Sequence, residues 1–394
     1  MKIPLPKSEE IGHIPAPSSF QPNQDSMLSP SNNWTLDHTD RLYCVNGWSD
    51  GFFQISDTGA LEVTAPESEN PISLLDLVET VKSQGHQLPL LVRVPKLLDH
   101  KIQQLRAVFD DAIAQNDYRG SYTPYFPIKT NQQRAVLDQI VSTYSDDGDL
   151  GLEVGTKPEL LAAVTAIGTR NIPIICNGYK DESYLDLAQR LGEAGLDVTI
   201  VLESLNEAKL FGRCIGDREI AVRLGLRFRP ETAGSSHWAE TSGKNGLFGF
   251  KPFELYAAID LLKKLNLSDS VDLLHFHQAS QITALHSIRE GAQEIAKVFE
   301  ALVEDGLPIK RLDMGGGLAV DYQGSGDFRD ASRDYEFAAY ADTIVRVIKS
   351  AMDSKGIEHP EIISESGRAI SAHHAFLLAE TFTNASPERL PSLA

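Results

Sequence analysis

Cysteine is scarce in this chain, and the three that occur are far apart. Cys44, Cys176 and Cys214 are odd in number and show none of the short spacings that bind zinc. So sparse a set also argues against the disulfide framework of small secreted domains. We therefore expect a reducing environment and predict a cytoplasmic location.

Long apolar runs and an excess of basic residues are missing as well. No stretch approaches the ~20 apolar residues that a membrane-spanning helix requires. The 36 basic and 55 acidic residues give a net charge of −19, which would repel the phosphates of a nucleic acid. We predict no membrane and no nucleic-acid partner, whereas a small cationic substrate would be tolerated.

The first quarter of the chain is irregular. Residues 1–32 are rich in Pro, Ser, Asn and Gln and lack the apolar core of a signal peptide, which predicts a disordered leader. Residues 33–95 hold short strand-like pieces at 42–46, 51–55 and 90–94, separated by turn formers. This segment is expected to form part of a small β-rich domain.

From residue 96 onward the pattern becomes regular. Helical periodicity covers 96–116, and eight apolar strands then alternate with seven helices. The strands are predicted at 124–129, 150–154, 172–177, 198–203, 221–227, 271–277, 309–314 and 361–364, and the helices near 131–145, 157–169, 181–194, 205–213, 252–265, 283–304 and 335–355. Near-continuous apolar strands are typical of parallel sheets buried on both faces. We predict an α/β fold, a (β/α)8 barrel over 96–380, with a doubly wound open sheet as the alternative.

Chemically informative residues follow the ends of these strands. Lys129 closes the first strand, His277 the sixth, and glycines 315–317 follow the seventh, with Glu365 and Arg368 after the eighth. In a barrel the carboxyl ends of the strands form one face, where active sites of this fold lie. The residues are therefore expected to form one site.

Lys129 is the central candidate. An amine walled by apolar neighbours can have a lowered pKa and form a Schiff base with an aldehyde cofactor. Most lysines at strand ends only extend into solvent, so the other segments decide between the two interpretations. Glu153 and Arg223 are secondary candidates that would orient the lysine or the cofactor, or form an ordinary buried ion pair.

The glycines and the last strand predict a site for a phosphorylated ring. Backbone amides of Gly315, Gly316 and Gly317 can approach an anion without a Cβ in the way, although a tight turn explains the glycines equally well. Glu365 can keep a pyridine nitrogen protonated, and Gly367 with Arg368 can add an amide and a guanidinium to the phosphate. A surface Glu/Arg pair is the alternative for this last segment.

Histidines supply the remaining candidates. His277 is placed to stack on the cofactor ring, with Ser280 reaching the phosphate, and strand alternation puts His275 on the same side. Two histidines two residues apart also suit a metal, but no nearby carboxylate or cysteine completes a set, so the metal site stays unknown. His373 and His374 are interpreted as structural or solvent-facing.

A long polar connection follows the fifth strand. Residues 229–250 are rich in Gly, Ser and Thr. A loop of this length on the catalytic side of a barrel is a candidate lid.

Six ordered motifs between about residues 35 and 385 resemble biosynthetic arginine decarboxylase. They are Tyr125-Phe-Pro-Ile-Lys-Thr-Asn-Gln, Gly151-Leu-Glu-Val-Gly-Thr-Lys-Pro-Glu-Leu, Cys176-Asn-Gly-Tyr-Lys-Asp, Leu274-His-Phe-His-Gln-Ala-Ser-Gln, Asp313-Met-Gly-Gly-Gly-Leu-Ala-Val-Asp-Tyr and Ser364-Glu-Ser-Gly-Arg-Ala-Ile-Ser-Ala-His-His.

The resemblance implies a pyridoxal 5'-phosphate enzyme with an alanine-racemase-type barrel. It would convert L-arginine to agmatine and CO2 in putrescine and spermidine synthesis, with magnesium as an associated ion and a homo-oligomer as the expected assembly. Residues matching Lys129, His277 and Glu365 would hold the cofactor, stack on it and meet its ring nitrogen. Decarboxylation of ornithine, lysine or diaminopimelate, or a non-catalytic regulatory role, are the alternatives.

The resemblance also implies a long C-terminal region that has no counterpart before Ala394. In the family it completes the β domain and supplies, often from the partner subunit, a cysteine and acidic groups. Residues 381–394 are interpreted as the start of a truncated C-terminal region.

Overall fold

The computed structural model describes residues 35–64, 68, 70–143, 150–231 and 246–380. The leader predicted at 1–32, most of the lid predicted at 229–250 and the C-terminal segment 381–394 lie outside these ranges. Among the described residues, no helix has both the length and the apolar character needed to cross a membrane.

The N-terminal part combines short helices with two small sheets. Its elements are α1 (Leu36–Tyr43), α2 (Val45–Trp48), β1 (Phe53–Ile55), β2 (Leu61–Val63), β3 (Ile72–Ser73), α3 (Leu74–Ser83) and β4 (Leu90–Arg93). Strands β1, β2 and β3 form one antiparallel sheet. Strand β4 pairs instead with β13 (Ala375–Leu378), from the far end of the described chain.

The strand predicted at 42–46 is wrong. The segment lies in α1 and α2, because the Thr35 side chain caps α1 by accepting a hydrogen bond from the backbone of His38. Cys44, with a φ of 50°, separates the two helices. A capped helix thus overrides the strand preference of the apolar residues.

The predicted barrel is confirmed. Helix α4 (Lys96–Gln115) precedes eight parallel strands that close on themselves, so the open sheet is excluded. The strands are β5 (Tyr122–Pro127), β6 (Gly151–Val154), β7 (Ile174–Cys176), β8 (Val198–Leu202), β9 (Arg223–Phe228), β10 (Val271–Phe276), β11 (Arg311–Asp313) and β12 (Glu361–Ser364). The helices between and after them are α5 (Arg134–Ser142), α6 (Lys157–Ile167), α7 (Glu182–Glu193), α8 (Leu205–Ile215), α9 (Pro252–Lys264), α10 (Leu285–Glu304), α11 (Phe337–Lys355) and α12 (Gly367–Ser371).

Two apolar layers hold the barrel together, because successive side chains of a strand point to opposite faces. One layer lies between strands and helices, where Phe109 of α4 stacks on Tyr122 of β5 at 3.6 Å. The other fills the barrel interior and consists of Tyr125, Ile175, Val201, Leu273 and Ile363. Truncating a buried aromatic such as Phe109 to alanine typically costs about 3–5 kcal/mol. The inner layer closes the barrel beneath the polar residues at the carboxyl ends of the strands.

Candidate active site

A cavity of about 580 Å³ opens at the carboxyl ends of the strands. Its walls come from β5, β10, β11 and β12 and from the segments that follow them. Among its lining residues are eight of the eleven candidates predicted from the sequence: Lys129, His277, Ser280, Gly316, Gly317, Glu365, Gly367 and Arg368. The strand-end pattern therefore brings these residues to one place, as expected for a barrel.

Lys129 is held at the edge of this cavity by a short turn. Ile128, which is fully buried, anchors the 3-10 turn that follows β5. The Nζ of Lys129 lies 2.8 Å from Oε2 of Glu153, whose side chain is 0% exposed. Burial lowers the pKa of Lys129, but the charges of Glu365 and Glu153 outweigh it and leave the pKa above its usual value. The expectation of a lowered pKa is thus wrong for the cofactor-free site, because two carboxylates face the amine.

Asn177 continues this chain of contacts and was not predicted as a site residue. It follows β7 directly, and its Nδ2 donates to Oε1 of Glu153 at 3.1 Å and to Oε1 of Glu365 at 2.6 Å. Its place in the quoted Cys176-Asn-Gly motif, just past a strand end, was the available signal. Lys129, Glu153, Asn177 and Glu365 therefore form one connected polar chain.

Glu365 is surrounded by two further groups that sequence reasoning left out of the site. The Nε2 of His275 lies 3.3 Å from Oε1 of Glu365, and both side chains are almost fully buried. Burial would raise the pKa of Glu365, but His275 and Lys129 hold it well below its usual value. Asp313 of β11 lies beside them, and burial together with the charge of Glu365 raises its pKa well above the usual range. Glu365 is thus the ionised carboxylate of the pair, as a partner for a protonated ring nitrogen must be.

Carboxylates do complete a set of possible metal ligands with one of the histidines, contrary to the expectation from the sequence. His275, Asp313 and Glu365 offer potential ligand atoms within 4.8 Å of one another. Alternation along β10 and β11 points His275 and Asp313 into the barrel, beside Glu365. The three residues lie on different strands, so their proximity could not be predicted from the sequence.

His277 lies above this cluster as a neutral ring. Burial and the charge of Arg227 lower the pKa of His277 to about 3. Its Nδ1 accepts a hydrogen bond from the backbone amide of Gly316 at 3.1 Å, so the ring proton is assigned to Nε2. The imidazole is thus fixed against the glycine segment on one wall of the cavity.

The glycine segment leaves room that a side chain would fill. A Cβ at Gly316 would lie 3.0 Å from the carbonyl oxygen of Glu365. Gly317 has a φ of +113°, and a Cβ there would lie 2.7 Å from Cδ1 of Ile282. Gly315 comes one residue earlier, with its amide bonded to Oδ1 of Asp313 at 2.8 Å. Gly316 and Gly317 also line the cavity, so a ligand there would meet their backbone.

Arg368 contributes a positive charge on the same cavity. Its guanidinium donates to Oγ of Ser280 and to the hydroxyl of Tyr322, both at 3.4 Å, and stays largely exposed. Gly367 precedes it, and a Cβ there would collide with Thr130. A guanidinium, a hydroxyl and glycine amides around one space suit a phosphate, so the residues present fit a phosphorylated aldehyde cofactor. Tyr322 was not predicted as a site residue, although it is the last residue of the quoted motif that begins at Asp313.

Arg223 does not belong to this site. It lies at the amino-terminal end of β9, where it pairs with Asp197 and comes within 3.8 Å of Asp272. Arg227, four residues later on the same strand, pairs with Glu203 at 3.0 Å. Four strand residues span about 13 Å, which separates the two ends of the barrel. The rule that strand ends carry function would have selected Arg227.

The adjacent histidines 373 and 374 have structural contacts. Nε2 of His373 donates to the carbonyl oxygen of Trp48 at 2.9 Å, and Nδ1 of His374 lies 2.5 Å from the carbonyl oxygen of Ser371. The first contact fastens the N-terminal helices to the barrel, in agreement with a structural role.

Relatives of known name match most of this chain. The Chromobacterium violaceum biosynthetic arginine decarboxylase is 40% identical over 359 residues, which are 91% of this chain and 56% of that protein. The Pseudomonas aeruginosa biosynthetic arginine decarboxylase is 38% identical over 349 residues, which are 88% of this chain and 54% of that protein. The chain thus spans about half the length of these relatives.

Solved structures share the fold. The biosynthetic arginine decarboxylase of Campylobacter jejuni superposes with a TM-score of 0.76 at 29% identity, over 85% of this chain and 54% of that chain. Diaminopimelate decarboxylase of M. jannaschii has a TM-score of 0.62 at 19% identity, over 84% of this chain and 69% of that chain, which shows the fold alone.

A family profile covers the barrel itself. The family is described as "Pyridoxal-dependent decarboxylase, pyridoxal binding domain", and its profile matches residues 102–372. The matched stretch is more than half of the 394 residues and includes every strand of the barrel. The family predicted from the six motifs is confirmed: the chain belongs to the pyridoxal-dependent decarboxylases.

Proposed function

We propose that this chain binds pyridoxal 5'-phosphate through Lys129 and acts in the decarboxylation of L-arginine to agmatine and CO2, within putrescine and spermidine synthesis. One observation carries the proposal: the amine of Lys129, the buried carboxylate of Glu365 and the guanidinium of Arg368 line the same cavity. An aldehyde, a ring nitrogen and a phosphate require these three kinds of group.

Each residue has a role that follows from its position. Lys129 would hold the aldehyde carbon, Glu365 the ring nitrogen, and His277 one face of the ring. Arg368, Ser280 and the amides of the glycine segment would take the phosphate. When bound, the cofactor supplies an electron sink for the pair of electrons left as CO2 departs.

The side chains of the protein contribute to the reaction by placing charges near the cofactor site and by transferring a proton. Glu365 stays ionised next to His275 and would hold a ring nitrogen cationic. Glu153, 2.8 Å from Lys129, takes the proton that the lysine must lose before its amine is nucleophilic. The neutral His277, bonded to Gly316, keeps water from one side of the reacting centre.

Arginine is the proposed substrate because the relatives at 38–40% identity are named biosynthetic arginine decarboxylases. Ornithine, lysine and diaminopimelate remain the alternative substrates. A homo-oligomer and a cytoplasmic location also remain predictions. Magnesium gains no support from the described residues of the cavity.

The proposal is tested on the whole chain with a cofactor titration. Purified protein mixed with pyridoxal 5'-phosphate is expected to show an absorbance band at the edge of the visible range, and borohydride reduction should attach the cofactor to Lys129. Lys129→Ala should lose both signals. Lys157→Ala is the control, because Lys157 pairs with Asp181 on the outside of the barrel. Absence of the band in the wild type, or its persistence in Lys129→Ala, would refute cofactor binding through this residue.

Turnover is measured separately as CO2 release from L-arginine, ornithine, lysine and diaminopimelate. Release from arginine in excess of the other three supports the proposed reaction, and preference for another amino acid overturns the substrate. Binding without release from any of them favours a non-catalytic, regulatory relative.

A further inference from the structure

Asn177 lies where two buried carboxylates meet, at the carboxyl end of β7. Only 4% of the residue is exposed, and its backbone amide donates to the carbonyl oxygen of Val154 at 2.8 Å. An amide NH2 group carries two hydrogens. One is directed to Oε1 of Glu153 at 3.1 Å and the other to Oε1 of Glu365 at 2.6 Å. Both donors of the side chain are therefore used on carboxylates with different surroundings.

The orientation of this amide is determined by its neighbours. Reversing the group would place Oδ1 against both carboxylates, which is repulsive. Oδ1 is buried, and no described residue offers it a hydrogen bond. The side chain thus leaves its own acceptor unsatisfied while it donates to both carboxylates.

The backbone around Asn177 cannot shift easily. Gly178, the next residue, has a φ of +73°, and a Cβ there would collide with the carbonyl of Gly155. Its amide donates to Oε1 of Glu203 at 2.8 Å. Asn177 is therefore held between β6 and β8, and its amide has a fixed position relative to both carboxylates.

The two carboxylates differ in the charges that face them. Glu153 is close to Lys129, which lies in the turn after β5, and to Glu365, which follows β12. Burial and the charge of Glu365 raise the pKa of Glu153 to about 7. Glu365 faces Lys129 as well as its three neighbours His275, His277 and Asp313. Two close carboxylates in a dry site do not both ionise unless donors compensate them. Among the described residues, Asn177 is the side chain hydrogen-bonded to both.

We propose that Asn177 is a positioning residue that keeps Glu365 ionised for the ring nitrogen and directs the exchangeable proton of the site to the pair of Lys129 and Glu153. The inference rests on the proposed function and names the two residues between which the exchangeable proton moves. That proton moves from Nζ of Lys129 to Oε2 of Glu153 across 2.8 Å. An N–H bond breaks, an O–H bond forms, and the net charge of the site is unchanged.

Substitution of Asn177 gives two opposite expectations. Asn177→Ala removes both donors, so both carboxylates bind protons more readily. Less negative charge then surrounds the amine of Lys129, and its pKa falls. Asn177→Asp keeps the shape but adds a third carboxylate, so Lys129 holds its proton more tightly. Loss or gain of one charge-assisted hydrogen bond corresponds to a shift of about one pH unit.

The experiment follows Lys129 in the cofactor-free full chain. Amine labelling is measured by mass spectrometry as a function of pH, with Lys157 as the internal reference. The midpoint for Lys129 is expected to fall by about one pH unit in Asn177→Ala and to rise in Asn177→Asp. Asn116→Ala is the matched control, because Nδ2 of Asn116 also donates to two acceptors, Ala112 and Asp342, but outside the barrel. The labelling midpoint of Lys129 in Asn116→Ala should equal that in the wild type.

A second measurement adds the cofactor. The pH at which the absorbance band of the loaded protein changes form should move in the same directions as the labelling midpoint. If both variants fold, by thermal unfolding, and leave both midpoints unmoved, Asn177 is merely structural and the inference is overturned. If Asn177→Ala fails to fold, Asn177→Asp decides by the direction of its shift. If the wild type binds no cofactor, the proposed function is wrong. The labelling midpoints of the cofactor-free protein then still test the role of Asn177.

Discussion

Lys129 and Glu153 form an ion pair with one end in water and the other sealed inside the barrel. The Nζ to Oε2 distance is 2.8 Å, and the side chains are 57% and 0% exposed. The lysine is therefore accessible to an incoming aldehyde, whereas its carboxylate partner is shielded from solvent. This asymmetry lets the amine exchange partners while the proton acceptor stays in place.

Glu153 should give the folded protein a measurable pH dependence. Its pKa is raised from 4.5 to about 7 by burial and by the charge of Glu365, so the folded chain keeps a proton that the unfolded chain releases. The contribution of Glu153 to stability therefore falls as the pH rises from about 4.5 to 7. Glu153→Gln removes this pH-dependent loss of stability. As the pH rises, the unfolding free energy of the variant relative to wild type should therefore grow by at most about 1.4 kcal/mol per pH unit.

Urea unfolding of the cofactor-free protein at several pH values within this window measures the difference. Glu79→Gln serves as the control, since Glu79 is an exposed residue of α3. A difference between Glu153→Gln and wild type that does not change with pH would contradict a raised pKa.

Asp313 is expected to tolerate replacement by its neutral isostere. Burial and the charge of Glu365 raise the pKa of this fully buried carboxyl well above its usual range, which favours its neutral form. Asp313→Asn keeps an acceptor for the Gly315 amide and should change stability by less than about 1 kcal/mol. Asp313→Ala leaves that amide unpaired and should cost about 1–3 kcal/mol. Equal losses in the two variants, measured by unfolding at pH 7, would mean that Asp313 is ionised.

Gly316→Ala is expected to disturb the wall of the cavity that would hold the cofactor. A Cβ there would lie 3.0 Å from the carbonyl oxygen of Glu365 and 3.3 Å from Cε1 of His277. Crowding of this kind costs about 1–3 kcal/mol, so Gly316→Ala should weaken cofactor binding about tenfold or more in an absorbance titration. Gly155→Ala is the matched control, since its Cβ would meet its nearest atom at 3.5 Å. Unchanged affinity in Gly316→Ala would place the phosphate elsewhere.

Arg368 should distinguish a phosphorylated ligand from its dephosphorylated form. Removing one guanidinium that pairs with a phosphate costs about 1.5–3 kcal/mol, so Arg368→Ala should bind pyridoxal 5'-phosphate about 10–100-fold more weakly. Binding of pyridoxal, which lacks the phosphate, should hardly change. Arg346→Ala, on the exposed face of α11, is the control. Equal weakening toward both ligands would assign Arg368 a structural role.

The barrel could be predicted because its pattern is local. Each strand is a short apolar run between turn formers, and each helix has an apolar face, so residues close in sequence suffice to identify them. The segment 42–46 was mispredicted for the same reason, since the cap at Thr35 outweighed the strand preference of Leu42 and its neighbours.

The candidate site was predictable in outline, not in its connections. Lys129, His277 and Glu365 follow strand ends, and the fold class alone brings strand ends together. Arg223 was chosen although Arg227 lies nearer the carboxyl end of β9. Asn177 and Asp313 lie in quoted motifs, and alternation put His275 on the side of His277. Their roles still could not be predicted, because these come from contacts with carboxylates on other strands.

The sequence by itself determined the eight-stranded barrel, the family and the face on which the chemistry lies, since periodicity and strand-end position are properties of short segments. Only the tertiary structure decided which carboxylate is ionised, which carries a proton and which arginine faces the cavity. Those outcomes depend on burial and on charges a few ångströms away. Closure of the barrel brings together groups that are far apart along the chain, such as Lys129 and Glu365, which are 236 residues apart.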